Sequence, residues 1–181
     1  MGYHPRKPMD YRGQYFEKYQ AMDATDMGAA LTKARVDLVS KYCTGRIVDI
    51  GIGGGRFVTE CGADGYDVNP EAIAWLGERF VDPYDNGIDS ATCWDSLEHI
   101  PDPEKFISLV REWLFVSMPT YQNQQDCLAS KHFKPGEHLW YWTVQGFADW
   151  CKRNGFSVIQ VNTIETELGR EGITTFVCRR V

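Results

Sequence analysis

Apolar positions along the chain recur at helical spacing in some stretches and crowd into short β-branched runs in others. Leu31, Ala34, Leu38 and Tyr42 fall on one helical face, with Thr25 as cap and Asp26 as first-turn acid, and Gly45 is the expected stop. Ile47 to Ile50 predict a buried strand, and Arg56 to Glu60 leave room for barely one helical turn before Gly62 and Gly65. Asn69 and Pro70 open the next helix, in which Ile73, Leu76 and Phe80 point inward. A strand is expected to lead into Asp95. Asp102 and Pro103 then start a helix with Phe106, Leu109 and Val110 toward the core, and Leu114 to Met118 read as a fifth strand. Thr143 caps a helix with Phe147, Trp150 and Cys151 inward and Gly155 as its stop, and 156–161 and 174–179 alternate like paired strands.

The first strand breaks into Gly51-Ile52-Gly53-Gly54-Gly55-Arg56, where glycines permit positive φ and let a polar ligand meet bare N–H groups. Arg56 stands where a dinucleotide fingerprint needs its third glycine, which argues against NAD. Asp67, ending a second strand in Gly65-Tyr66-Asp67-Val68-Asn69, occupies the place from which a carboxylate grips ribose hydroxyls. The stretch Asp95-Ser96-Leu97-Glu98-His99 delivers acids and an imidazole at a strand's carboxyl end, the edge at which open parallel sheets bind ligands.

Three motifs in this order, D-x-G-x-G-x-G from Asp49 to Gly55, G-Y-D from Gly65 to Asp67 and D-x-x-E-H-I-x-D-P from Asp95 to Pro103, resemble a class I S-adenosylmethionine (SAM)-dependent methyltransferase. Val116 to Pro119 and Glu137 to Thr143 resemble later segments of that family, so the likeness covers most of 29–181. It implies an α/β fold, a Rossmann-like, doubly wound, mostly parallel sheet of seven strands with an antiparallel C-terminal hairpin. It also implies one methyltransferase domain over 29–181, and an N-terminal extension, 1–28, that closes over the cofactor as a lid. The third strand must fit into 80–84. The cofactor site implied is Asp49, Gly51, Gly53, Gly54, Gly55, Asp67, Val68, Asn69 and Trp94, with Asp82 or Tyr84 reaching the adenine amino group.

For the chemistry, the resemblance points to Asp95, Glu98, His99 and His138. D-x-x-E-H with a distant histidine is similar to the E-x-x-E-H set of metal-dependent O-methyltransferases of the ubiquinone-pathway type. Glu98, His99 and His138 are then ligands for Mg²⁺, Mn²⁺ or Zn²⁺, with Asp95 a methylene shorter than its family counterpart and His132 competing for the last place. Without a metal, His99 or His138 is the general base. The polar segment between Pro119 and His138 is the expected substrate-recognition loop. Trp140, Tyr141 and Trp142 either stack on a planar substrate or plug the end of the sheet.

Composition narrows the partners. The length, 181 residues, suits a single domain. No apolar run approaches the roughly 18 residues of a membrane span. The first 20 residues are charged and aromatic where a signal peptide is apolar, so a cytoplasmic protein is expected. Six scattered cysteines without a C-x-x-C pair read as reduced thiols. A net charge of −6 disfavours nucleic acid, although Lys131 with Lys134, or Arg6, Lys7 and Arg12, could form a local basic rim. Tyr11, Tyr15, Phe16 and Tyr19 share one face of a short helix, either core packing or the lid. The expected acceptor is a small molecule or nucleotide, methylated on O or N. A nucleic-acid-modifying enzyme and a cofactor-binding subunit without its own activity are the competing readings.

Overall fold

The computed structural model describes residues 2–4 and 14–181. Arg6, Lys7, Tyr11 and Arg12 lie outside the described residues. In chain order the elements are β1 (Gly2–Tyr3), α1 (Tyr15–Asp23), α2 (Asp26–Tyr42), β2 (Ile47–Ile50), α3 (Arg56–Cys61), β3 (Asp64–Tyr66), α4 (Pro70–Leu76), α5 (Pro83–Asn86), β4 (Ile88–Trp94), α6 (Pro103–Ser108), β5 (Val110–Pro119), α7 (Gln124–Ala129), β6 (Trp140–Tyr141), α8 (Val144–Arg153), β7 (Phe156–Asn162), α9 (Ile164–Glu167) and β8 (Ile173–Arg180). Six strands form the main sheet in the order β3-β2-β4-β5-β8-β7, while β1 and β6 pair separately. The four strands from β3 to β5 run parallel, and β8 and β7 add antiparallel to them. This is the expected Rossmann-like, mostly parallel sheet with its antiparallel C-terminal hairpin.

The difference from the expected seven strands lies at 80–84. There the third strand is a single parallel bridge, Gly65 to Phe80, supported by the Val81 N–H donating to the Gly65 carbonyl at 2.9 Å. Pro83 cannot donate into a ladder, and the Asp82 carboxylate accepts the Tyr84 N–H at 2.8 Å, so the chain turns into α5 instead. Helix boundaries elsewhere follow local capping chemistry. Thr25, Asn69, Asp102 and Thr143 each accept the backbone N–H that a cap must satisfy. Two expectations shift by a few residues: α2 ends at Tyr42, and Val110 begins β5 because it pairs with Ile88 of β4.

The core between α6, α8 and the sheet is aromatic. Phe147 packs on Phe176 with centroids 4.5 Å apart and stacks on Trp150, and Trp142 abuts both Phe147 and Trp150. Trp140 donates its indole N–H to the Ile100 carbonyl at 2.9 Å. Trp140 and Trp142 therefore plug the sheet's end. Arg180 ties the far side together, donating to the carbonyls of Ile107 (2.8 Å), Asn154 (3.0 Å) and Val110. A cation there suits the carbonyl ends of α6 and α8. The six cysteines are free and five are buried. No helix among the described residues is long and apolar enough to cross a membrane.

Candidate functional site

The carboxyl ends of β2, β3 and β4 converge on the glycine run. Gly51, Gly53 and Gly55 all have positive φ, at 75°, 56° and 85°. The reason for each glycine is more specific than a ligand's approach. A Cβ at Gly51 would meet the Ser96 Cβ at 2.9 Å, one at Gly54 the Asp23 carboxylate at 2.5 Å, and one at Gly55 the Trp75 ring at 2.4 Å. Those three are required by the protein's own packing. Gly53 is different: its Cβ would meet only Tyr19, at 3.5 Å, and its N–H has no partner among the described residues. Of the four, Gly53 is the one whose main chain is not closely packed, with only the Tyr19 ring at van der Waals distance.

Two acids flank this loop. Asp67 accepts the Ile52 N–H at 3.0 Å and the Asn69 N–H at 2.8 Å, which fixes its carboxylate against the loop and leaves further lone pairs for a ligand. Burial raises the Asp67 pKa, and those two N–H groups oppose the rise. Asp49, by contrast, is only 1 % exposed and accepts the Thr92 hydroxyl at 2.6 Å across the β2–β4 pair. Asp49, one of the residues expected around the cofactor, therefore sits beneath the loop with its Oδ1 on Thr92.

Burial pushes the Asp49 pKa from an ordinary 3.8 up to about 7, so the folded protein holds this proton where the unfolded chain has lost it. Stability from this group is full below about pH 4 and is lost as pH rises through about 7, a loss of up to about 4 kcal/mol. Denaturant titrations of the wild type and Asp49→Asn across pH 4 to 8 are expected to show that fall in the wild type and a flatter profile in the variant.

Sequence reasoning missed Asp23, because it belongs to α1 and not to any motif. Its carboxylate accepts the Arg56 N–H at 3.3 Å, and its carbonyl accepts Arg56 Nη1 at 2.5 Å. The same helix buries Phe16 against Ile52, Val58, Ala72 and Leu76 and sets Tyr19, its hydroxyl 3.0 Å from that of Tyr15, beside Gly53. Trp94 is buried against Phe57, with the Arg35 guanidinium 5.0 Å from its ring centroid and its indole N–H without a partner. Val68 is exposed. The Asn69 side chain is committed to the cap of α4 and that of Asp82 to the cap of α5.

Beyond β4 the structure separates residues that the sequence pattern grouped. Glu98, His99 and His138 meet, with one ligand atom from each lying within 4.8 Å of the others. The imidazole rings are 4.8 Å apart, edge to face, and His99 Nδ1 is 2.9 Å from the Glu137 carbonyl. Glu98 is 2 % exposed, and neither carboxyl oxygen has a side-chain or main-chain partner from another residue. Burial drives the Glu98 pKa well up and lowers that of His99; burial, then the His99 charge, takes His138 down to about 3. Burial thus acts against charge on all three groups of the cluster.

Asp95 is not in that cluster. Its carboxylate is held by Arg170 Nη1 at 2.5 Å, with Arg35 Nη2 at 3.8 Å, an ion pair across 75 residues. His132 is also elsewhere, Nε2 at 2.8 Å from the Glu171 carbonyl. The charged stretch between β7 and β8 acquires a purpose here. Glu165, 1 % exposed, accepts Arg35 Nε at 2.8 Å and Arg170 Nη1 at 2.5 Å, and although burial alone would raise its pKa, the two guanidiniums hold it at about 2. The segment after Pro119 is not a plain loop, since Asn123 caps α7. With Thr143, Thr166 and Gly172 it lines a cavity of about 580 Å³ beyond the carboxyl end of β5.

A family model described as a methyltransferase domain matches residues 11–161. No curated protein matches the sequence. Among solved structures, the chain is similar to a SAM-dependent methyltransferase of Thermotoga maritima described as a possible histamine N-methyltransferase: TM-score 0.66 and 14 % identity, covering 93 % of this chain and 97 % of that one. It is also similar to the magnesium protoporphyrin IX methyltransferase of Synechocystis PCC 6803 with bound SAH, at TM-score 0.65 and 14 % identity, covering 94 % and 96 %. A third likeness is to the [4+2]-cyclase SpnF, at TM-score 0.61 and 14 % identity, covering 87 % and 85 %. At such identities the structures share the fold, and one of them performs another chemistry on it. The family match over most of the length places this chain in the methyltransferase domain family, as a SAM-dependent methyltransferase.

Proposed function

We propose that the chain methylates an oxygen or nitrogen of a small molecule or nucleotide, and that Glu98, His99 and His138 prepare the acceptor with the help of a divalent cation. The observation that carries the second part is Glu98, buried to 2 % exposure with both oxygens unpartnered and two imidazoles beside it. Leaving such a group unsatisfied costs about 1–3 kcal/mol, and more when it is charged. One acid and two neutral imidazoles form a donor set that a divalent cation satisfies together, and its two nitrogens favour Mn²⁺ or Zn²⁺ over Mg²⁺. Metal bonds of about 2.1 Å place ligand atoms roughly 3.5 Å apart, so the set needs to draw in slightly from its 4.8 Å spread. When bound, the ion supplies Lewis acidity that lowers the pKa of an acceptor hydroxyl.

The metal-free alternative is the weaker one. A general base works best with a pKa near the working pH, and burial holds His138 at about 3. Support for the cofactor's placement comes from Gly53, Asp67 and the edge of β4. In this reading Asp67 holds the ribose, Asp82 and Tyr84 border the adenine, and the Trp94 N–H faces the cofactor. Helix α1 closes as the lid, its Tyr19 above Gly53, and excludes water from the charged methyl donor. The acceptor is recognised by the segment after Pro119. Methyl transfer from SAM is tested by product mass across small-molecule and nucleotide pools. Turnover is expected to fall at least about tenfold with chelator and to return with Mn²⁺ or Zn²⁺; turnover indifferent to chelator removes the metal.

A further inference from the structure

We propose that Asp23, the last residue of α1, binds the α-ammonium at the amino-acid end of SAM; this rests on the placement of the cofactor at the glycine run read above. The Asp23 carboxylate lies directly over that run, since a Cβ at Gly54 would meet its Oδ2 at 2.5 Å. Tyr19, one turn earlier on the same face of α1, packs against Gly53, whose N–H has no partner among the described residues. The amino-acid end of the cofactor is a zwitterion at neutral pH. A free main-chain N–H suits its carboxylate, and an acid beside that N–H suits its ammonium.

Asp23 lacks a counter-charge of its own. Among the described residues no basic side chain comes within ion-pair distance of its carboxylate. Arg56 is committed through Nε to Glu60 at 2.6 Å and through Nη1 to the Asp23 carbonyl at 2.5 Å, and Arg35 is held by Glu165 at 2.8 Å. The bond that the carboxylate accepts from the Arg56 N–H is long, at 3.3 Å. A place at the carboxyl end of α1, with no basic residue in the last turn, adds repulsion from the helix's own carbonyls. Burial accordingly raises the Asp23 pKa, against the N–H groups of Arg56 and Gly54 and the charges of Arg35 and Arg56, which lower it.

A half-buried acid in this position is stabilised by an incoming cation. The ammonium brings three N–H donors to a carboxylate oxygen, whereas the sulfonium has none. Because Asp23 ends α1, the same ion pair ties the helix to the cofactor that it covers.

The test is calorimetric titration of the full chain, wild type and Asp23→Asn, with SAM, S-adenosylhomocysteine and 5′-methylthioadenosine. The last keeps the adenine, the ribose and a thioether but lacks the amino-acid end. Asparagine keeps an oxygen for the Arg56 N–H and removes the charge. Asp23→Asn is expected to weaken SAM and S-adenosylhomocysteine to the same extent, on the order of tenfold, and to leave 5′-methylthioadenosine within about twofold. Equal weakening of all three ligands would mean that Asp23 only supports the loop, and the proposal fails. A loss confined to SAM would make the sulfonium the partner and overturns it as well, as does unchanged affinity for S-adenosylhomocysteine. A wild type that binds none of the three removes the placement of the cofactor itself, and this proposal with it. Should Asp23→Asn unfold, Asp23→Ser runs the same comparison, because its hydroxyl accepts an N–H without carrying charge.

Discussion

Replacing Asp67 with alanine is expected to weaken SAM binding by roughly 100-fold or more, measured by calorimetry on protein whose circular dichroism is unchanged. Hydrogen bonds to a charged acceptor contribute about 1.5–3 kcal/mol each, and a ribose offers two hydroxyls. The carboxylate is already fixed in place by the Ile52 and Asn69 N–H groups, so a ligand need not order it. Asp67→Asn keeps one acceptor oxygen and should lose only about tenfold. A loss of similar size in both variants would mean that charge, not the pair of acceptor atoms, is what the site uses. Unchanged affinity in Asp67→Ala would remove the residue from the cofactor site.

The second large effect is on turnover. If the cluster prepares the acceptor as proposed, Glu98→Ala and His138→Ala are each expected to reduce kcat by about 10²- to 10³-fold while leaving cofactor affinity within about threefold. The two should not be additive. Once one donor of a set that works as a unit is lost, losing the other costs little more. Additive losses, or a loss confined to cofactor affinity, would place these residues in a structural role.

Much of the framework was legible because it is written in short-range chemistry. Thr25, Asn69, Asp102 and Thr143 cap helices through N–H groups two or three residues away, so a reader of the chain finds them without knowing the fold. The glycine run, Asp67 and the meeting of Glu98 with His99 were equally local. The missing third strand was half legible: 80–84 looked cramped, but whether Asp82-Pro83 turned or paired depended on where Gly65 would lie. The fate of Asp95 was hidden, since its partner Arg170 lies 75 positions on and is itself anchored by Glu165. The glycines show a subtler limit. Three of the four serve the packing of Ser96, Asp23 and Trp75, which no local pattern reveals.

The same long-range packing gives α1 its place. Phe16 sits in a cluster with Ile52 and Leu76, and Tyr19 lies over Gly53, so the helix that shields the loop also shares the core that holds it.

Isothermal titration of the wild-type chain with SAM bears most directly on the claim that a sulfonium nucleoside lies at the carboxyl edge of β2, β3 and β4. One site per chain with micromolar or tighter affinity is the predicted result. A titration without heat at any temperature tried, on folded protein, would contradict it.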